Sequence, residues 1–284
     1  MFDKARFKRA QDLYHQSRPL RTARTNHSFC TSVVHYPFNR QNIYHWWIDS
    51  LPRLFFLSRL AQLGIDSLAI LVAKDSPKYQ IDSLDALVGD NKNCVSLELI
   101  SENEKWRCPR FIVPTFVTGH QNGFLHPEIV DYIRERLFHY YSIVPRGGKR
   151  IYISRQRARR MRVVNEEELL PILKRFDVDM VTAEDLPYSD QIALFASADL
   201  VIGAHGAGLN NVLFCPPGAC LFELHSADQI RSHYLFLSKS LDMEYRWLVA
   251  GLQQEQGFVV DPEMFAGKLA ECVGGSRLAG AGGG

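Results

Sequence analysis

Short apolar runs separated by longer stretches of mixed polarity recur along the chain, and their spacing predicts strands alternating with helices. In the first half, Ser67 to Ala73 is an almost unbroken apolar run, the pattern of a strand buried on both faces. Val95 to Ile100 and Arg110 to Pro114 read as two further strands. Helical spacing covers Asn42 to Leu63, with Pro52 as an interruption, then Ile81 to Val88. A third helix is predicted from Pro127 to Tyr141, with proline in its first turn.

Val144-Pro145-Arg146-Gly147-Gly148-Lys149 punctuates the pattern as a linker. Beyond it the alternation is regular. Strands are predicted at Arg150–Ser154, Met180–Ala183, Leu200–Gly203 and Cys220–Leu224. Helices are predicted from Asn165, as cap, to Phe176, with Glu168 at the capping-box position, and from Ser189 to Ala198. A helix starts at Gly208–Phe214, and a last one runs from the Asp261-Pro262 cap to Val273. Such alternation implies an α/β protein with parallel sheets covered by helices. The expected architecture is two Rossmann-like lobes with a cleft between them: residues 1–144, residues 145–273, and a flexible glycine-rich tail, 274–284.

Composition narrows this picture. Of 284 residues, 46% are hydrophobic and 23% charged, which makes a packed core and excludes wholesale disorder. A net charge of +2 gives no general case for nucleic acid. The N-terminal segment is locally basic, with Lys4, Arg6, Lys8, Arg9, Arg18, Arg21 and Arg24, which leaves room for peripheral membrane contact. No apolar run approaches the ~18 residues of a membrane span, and no signal-peptide core is present. The six cysteines form no CxxC pair or zinc spacing. Free thiols in a reducing, cytoplasmic setting are therefore expected.

Chemistry concentrates in three places. The run Leu200-Val201-Ile202-Gly203-Ala204-His205-Gly206-Ala207-Gly208 takes a strand through a glycine loop into a helix. Glycine permits close backbone approach, and helix-start N–H groups attract anions, so a pyrophosphate fits Gly203, Gly206, Ala207 and Gly208. His205 adds a donor for a phosphate or the sugar. Glu223, twenty residues after Gly203, stands where an acid accepts hydrogen bonds from a ribose; capping a loop or pairing with Arg231 is the structural alternative. Second, Arg155, Arg157, Arg159, Arg160 and Arg162 follow a strand directly. Guanidinium forks match phosphate oxygens, so Arg155 and Arg160 are candidates to neutralise a diphosphate. Without interleaved aromatics the loop is a poor nucleic-acid binder. Third, His45, Asp49 and Arg53 recur every four residues and share a helix face. His45 suits proton abstraction from a sugar hydroxyl, with Asp49 orienting it; a surface ion pair is the plain alternative. Asp177-Val178-Asp179 imitates a metal-binding DxD but lies between a helix and a strand and reads as a turn.

These segments together resemble glycosyltransferase family 61. That group contains plant xylan xylosyl- and arabinosyltransferases, animal O-linked GlcNAc-transferases of the secretory pathway and bacterial capsule-linked members. The resemblance rests on His45-Trp46-Trp47-Ile48-Asp49-Ser50-Leu51-Pro52-Arg53 and on Tyr152-Ile153-Ser154-Arg155 with Ala158, Arg160, Asn165 and Glu166. Gln191, the glycine loop through Leu209 and Phe222-Glu223-Leu224 complete it. It implies a GT-B fold, an inverting mechanism and no obligate metal or cofactor. Donor nucleotide-sugar is then held in the second lobe by Arg155, Arg160, Asn165, Gly203, His205, Gly206, Ala207, Gly208 and Glu223. A glycan acceptor lies on the side of Arg53. Lack of a secretory cysteine framework favours a bacterial-type polysaccharide enzyme. Two other readings remain: a dinucleotide-dependent oxidoreductase, disfavoured because the loop reads GxxGxG, and a non-catalytic nucleotide-sugar-binding scaffold.

Overall fold

The computed structural model describes residues 21–33, 42–101, 104–118, 123–158, 160–255 and 257–279. The basic stretch from Lys4 to Arg18, on which membrane contact was expected, and residues 280–284 of the tail lie outside them. No described helix is long and apolar enough to cross a membrane. The chain divides into two compact units, one of residues 1–37 and 56–114, the other of residues 38–55 and 115–284.

In the first unit, β1 (Arg21–Arg24) pairs in parallel with β5 (Glu104–Arg107). Strands β2 (Phe29–Thr31), β3 (Leu68–Ala73), β4 (Val95–Ile100) and β6 (Phe111–Ile112) form a parallel sheet of order β4-β3-β2-β6. The apolar run Leu68–Ala73 becomes the buried β3, and helix α1 (Lys78–Val88) carries the chain from it to β4. The short strands β1 and β5 have no apolar run to announce them. They exist through their pairing with each other.

The second unit is built on a five-stranded parallel sheet. Its strands are β7 (Lys149–Ile153), β8 (Asp179–Val181), β9 (Ala198–Ala204), β10 (Cys220–His225) and β11 (Glu244–Val249). Helices α2 (Pro127–Tyr141), α3 (Glu166–Arg175), α4 (Tyr188–Ala196), α5 (His233–Ser240) and α6 (Pro262–Ala279) accompany it. Helix α6 passes the expected end at Val273, so the first residues of the presumed tail are helical. Asp177, at φ +56°, turns the chain from α3 into β8.

The strand order β11-β10-β9-β7-β8 is the doubly wound order 2-1-3-4-5, counted within the unit. Its switch point lies between β7 and β9, where the chain leaves in opposite directions and a crevice opens at the carboxyl ends. Ser154 and Arg155 follow β7, and the glycine loop follows β9. Sheet topology therefore brings the two candidate phosphate-binding segments side by side. One face of the sheet, with Tyr152, Leu200, Ile202, Phe222 and Leu224, packs on Leu169 and Leu173 of α3 and Phe265 and Leu269 of α6. Phe222 and Phe265 stack at 5.7 Å. By strand alternation Gly203, Glu223 and His225 face the other way.

The break between units differs from the one expected after Val144, for two physical reasons. Helix α2 is tied to the second unit through Arg134, whose guanidinium donates to the carbonyls of Leu213 and Cys215, both at 2.6 Å. Residues 38–55 join the same unit because the Trp47 ring stacks on Tyr188 at 5.3 Å and meets Phe214 edge-on at 5.4 Å.

Candidate active site

The glycine loop leaves β9 at Ala204, passes His205 and Gly206, and enters a 3-10 helix, Ala207–Phe214. Gly203 is closely packed: a Cβ there would stand 3.0 Å from Leu209 Cδ2 and 3.3 Å from the Ile153 carbonyl. Gly206 is required twice over. Its φ is +152°, and a Cβ would overlap the Arg155 guanidinium, 2.6 Å from Nη2. The guanidinium thus lies directly against the loop backbone. Ala207 and Gly208 are partly exposed and open the helix, where N–H groups have no partner within the helix.

Arg155 is held in place by backbone carbonyls of the following loop. Its Nε donates to the Met161 carbonyl at 3.1 Å and Nη2 to the Arg160 carbonyl at 3.4 Å. The corner before it is fixed by Glu166, a buried carboxylate that accepts from Tyr152 Oη (3.0 Å), Ser154 Oγ (2.7 Å) and the Arg155 N–H (3.4 Å). Burial draws the Arg155 pKa below the ordinary arginine value, while Tyr234 and Glu184 act in the opposite sense. A partly desolvated cation on a glycine loop is a prepared seat for an anion.

Beside it, His205 Nδ1 lies 2.5 Å from Glu223 Oε1. The other carboxylate oxygen accepts from Tyr245 Oη at 2.6 Å, and His225 Nε2 is 3.4 Å from it. Glu223 has no exposed surface, whereas the His205 side chain keeps 16%. Burial pushes the Glu223 carboxyl up, but hydrogen bonds and charge from His205 and His225 outweigh it, and its pKa falls below the usual carboxylate value. An ionised Glu223 takes the Nδ1 proton of His205 as a hydrogen bond. The opposite nitrogen, Nε2, makes no hydrogen bond to the described residues.

A second imidazole–carboxylate pair stands on residues 38–55. His45–Ser50 is wound as a π-helix, and Leu51–Arg59 continues as a 3-10 helix. Winding changes next to Pro52, which has no N–H to continue the ladder. His45 Nδ1 is 2.6 Å from Asp49 Oδ2, and Thr118 Oγ1 donates to Asp49 Oδ1 at 3.1 Å. His45 is 41% exposed. Aromatic contacts link the two pairs. Tyr44 meets His45, His233 and Tyr234 edge-on at 5.6, 5.7 and 5.9 Å. His205 lies 5.5 Å from the Tyr234 ring and 6.0 Å from that of His233.

Three residues expected at the ligand are engaged elsewhere. Glu223, expected on a ribose, has no exposed surface, and its two oxygens are hydrogen-bonded to His205 and Tyr245. Asn165 stands at the N-cap position of α3, but its side chain makes no capping hydrogen bond to a backbone N–H. Its amide accepts from the Val260 N–H (3.0 Å) and donates to the Val260 carbonyl (2.9 Å), clasping the start of α3 to the strand-like segment before α6. Arg53, expected on the acceptor side, is only 4% exposed, with its guanidinium 4.7 Å from the Phe116 ring centroid. Arg160 is exposed and only its carbonyl touches Arg155. Arg157 pairs with Asp185.

His205, Glu223 and His225 are also the group among the described residues whose ligand atoms lie close enough to hold a metal ion, within 4.8 Å of one another. Within this group Glu223 takes short hydrogen bonds from His205 and Tyr245.

Residues 43–222 match the family described as Glycosyltransferase 61. The chain belongs to glycosyltransferase family 61. The family region contains His45, Asp49, Arg155 and the whole glycine loop, and Glu223 follows its last residue. Among curated proteins, the chain is similar to the EGF domain-specific O-linked N-acetylglucosamine transferase of Drosophila melanogaster, 34% identical over 146 residues, covering 49% of this chain and 28% of that protein. The protein of the same name from Bos taurus is 30% identical over 158 residues, covering 54% and 30%. That from Mus musculus is 29% identical over 160 residues, covering 54% and 30%. The chain therefore spans under a third of the length of these relatives.

Family membership does not by itself reveal Thr118, His225, His233, Tyr234 and Tyr245, which sequence reading missed. Thr118 and Tyr245 belong to no motif and reach the site only through folding. His225 carried a signal: it follows Glu223 by two on one strand, hence on one face. Tyr234 donates to the Gly206 carbonyl at 2.7 Å and so braces the loop. His233 has its pKa lowered by burial, then by the nearby His205 and Arg231.

The depressed Glu223 pKa has a thermodynamic sign. An acid whose folded pKa lies below its unfolded value contributes stability above the unfolded value, and that contribution is lost as pH falls through the folded one. Glu223→Gln is therefore expected to lower the melting temperature most near neutral pH. The gap to the wild-type chain closes as pH drops below the ordinary carboxylate range. Melting curves from neutral to acid pH measure this; a gap that stays constant would rule out the linkage.

Proposed function

We propose that this chain transfers a sugar from a nucleotide-sugar donor to a hydroxyl acceptor, with inversion and without an obligate metal, in a GT-B type arrangement. The observation that carries the reading is the Arg155 guanidinium seated on Gly206 at the β7/β9 switch point, with two imidazole–carboxylate pairs in the same unit. Arg155, His205 Nε2 and the N–H groups of Ala207 and Gly208 hold the departing diphosphate. These are fixed donors aimed where charge develops, the form of stabilisation that needs no reorganisation during reaction. Asp49 keeps the His45 proton on Nδ1, which leaves Nε2 as acceptor for the proton of the attacking hydroxyl.

The engagement of the two carboxylates supports inversion. Double displacement requires a carboxylate free to attack the anomeric carbon. Glu223 is enclosed, and Asp49 is held by His45 and Thr118. A single in-line displacement uses the groups that remain. The names of the relatives make nucleotide-linked N-acetylglucosamine the donor to test first, with an EGF-domain hydroxyl as acceptor beside the glycan acceptor expected from sequence.

A thermal-shift screen across nucleotide sugars, followed by transfer and donor-hydrolysis assays, tests the reading. Stabilisation by one nucleotide sugar and release of its diphosphate are expected. Activity in excess chelator is expected to stay within about 2-fold of its value with added divalent cation, since a fixed guanidinium takes the place of the ion. Complete, cation-reversible loss would overturn metal independence. Retention of anomeric configuration, read by NMR, would overturn single displacement.

A further inference from the structure

Glu223 and His225 stand two apart on β10, so both project from one face of the sheet. His205, the residue after β9, is fastened beside them, its N–H donating to the Leu224 carbonyl at 2.9 Å. Backbone pairing thus gathers two imidazoles and a carboxylate on neighbouring parallel strands. The rings of His205 and His225 lie 5.6 Å apart and 25° from parallel. One ring nitrogen from each and a Glu223 oxygen lie within 4.8 Å of one another. Glu223 and His225 are buried, and His205 keeps a small exposed part. Hydrogen bonding leaves one atom of the group unexplained: His225 Nδ1 is buried and has no partner among the described residues.

We propose that His205, Glu223 and His225 form a binding site for a divalent transition-metal cation of the zinc class. Two imidazoles and one carboxylate make a zinc ligand set, and three protein ligands leave one position of a tetrahedral ion to water. Imidazole favours zinc and its neighbours, whereas magnesium and manganese are served by oxygen ligands. Tyr245 supports the ligands from behind. Its hydroxyl donates to Glu223 Oε2 at 2.6 Å and so fixes the plane of the carboxylate. The same oxygen stands 3.2 Å from His225 Nε2. The site takes its ion whether or not the chain transfers sugar.

Little has to move for the ion to enter. With zinc bonds of about 2.0–2.2 Å, the ligand atoms around a tetrahedral ion stand roughly 3.3–3.6 Å apart. His225 Nε2 and Glu223 Oε2 are already at that spacing, 3.4 Å. His205 Nδ1 and Glu223 Oε1 are 2.5 Å apart, and they have to part by roughly 1 Å. His205 is the member on a loop, with side-chain surface still exposed. A ligating imidazole nitrogen carries no proton. The proton that His205 Nδ1 gives to Glu223 therefore moves to Nε2, and the ring stays neutral.

The test uses the untagged full chain, stripped with chelator and then titrated with zinc, cobalt or magnesium chloride. Calorimetry is expected to show one zinc per chain. Saturating zinc is expected to raise the melting temperature by about 3 °C or more. Cobalt is expected to give the visible absorption bands of a four- or five-coordinate ion with nitrogen and oxygen ligands. His205→Gln, which removes the most exposed ligand, should abolish the zinc-induced shift and the cobalt bands. Tyr245→Phe should weaken zinc binding by about 10-fold or more. A wild-type chain that binds no zinc, or responds equally to magnesium, would overturn the site. So would full zinc affinity in either variant, or a thiolate-to-cobalt charge-transfer band, which would put the ion on cysteine. Should His205→Gln fail to fold, the cobalt spectrum and Tyr245→Phe still decide.

Discussion

Arg155→Ala is expected to weaken binding of nucleoside diphosphates about 100-fold, the combined effect of losing two charge-assisted hydrogen bonds. The reasoning begins with the seat of the side chain. The Met161 and Arg160 carbonyls and the Glu166-braced corner hold the guanidinium against Gly206 before any ligand arrives, so little ordering cost falls on binding. Gly206→Ala is expected to give nearly the same loss through a different route. Its Cβ would push the guanidinium off the loop, and its φ of +152° suits no L side chain. Because both changes remove one arrangement, the double variant should bind no more weakly than either single one. Titration calorimetry with a panel of nucleoside diphosphates measures all three. Unchanged affinity in Arg155→Ala, or additive losses in the double variant, would sink the assignment.

His45→Ala is expected to cut turnover by roughly 10²–10⁴-fold, the usual contribution of a positioned general base. Donor affinity should stay within about 2-fold, because the diphosphate seat is made by other residues. Asp49→Asn leaves the ring in place but no longer holds the proton on Nδ1, so it should reduce turnover less than His45→Ala and shift the pH–rate profile. Steady-state kinetics with donor titrations separate the two effects. Lost donor affinity in His45→Ala would move that residue into the donor seat.

The parts of the fold visible in the sequence are those set by local pattern. The buried strand Leu68–Ala73, the helix Pro127–Tyr141 with its N-terminal proline and the strand–glycine–helix passage after Leu200 all follow from periodicity and backbone chemistry. Arg155 was visible because it directly follows a strand. What stayed hidden depends on contacts distant in sequence. Glu223 looks like an exposed strand-end acid until Tyr245 and His225 enclose it. Asn165 looks like a cap until Val260 takes its amide from 95 residues away. Arg53 shares a helical face with His45 and Asp49 by count, yet it is buried against Phe116.

The chain enters the second unit twice, first with residues 38–55 and again from residue 115 onward. Under the proposed function, the reacting groups are thus drawn from two stretches of gene that lie far apart, with residues 56–114 of the other unit spliced between them. A fragment starting after the Val144–Lys149 stretch would keep the arginine and the glycine loop but discard the histidine partner and the Arg134 tie that closes the loop helix. On that reading, a single cut between the two stretches separates the reacting groups. A protein engineer who wants a minimal catalyst would have to join residue 55 to residue 115 with a new connection, and recombination that exchanges only one end of the gene separates base from donor seat.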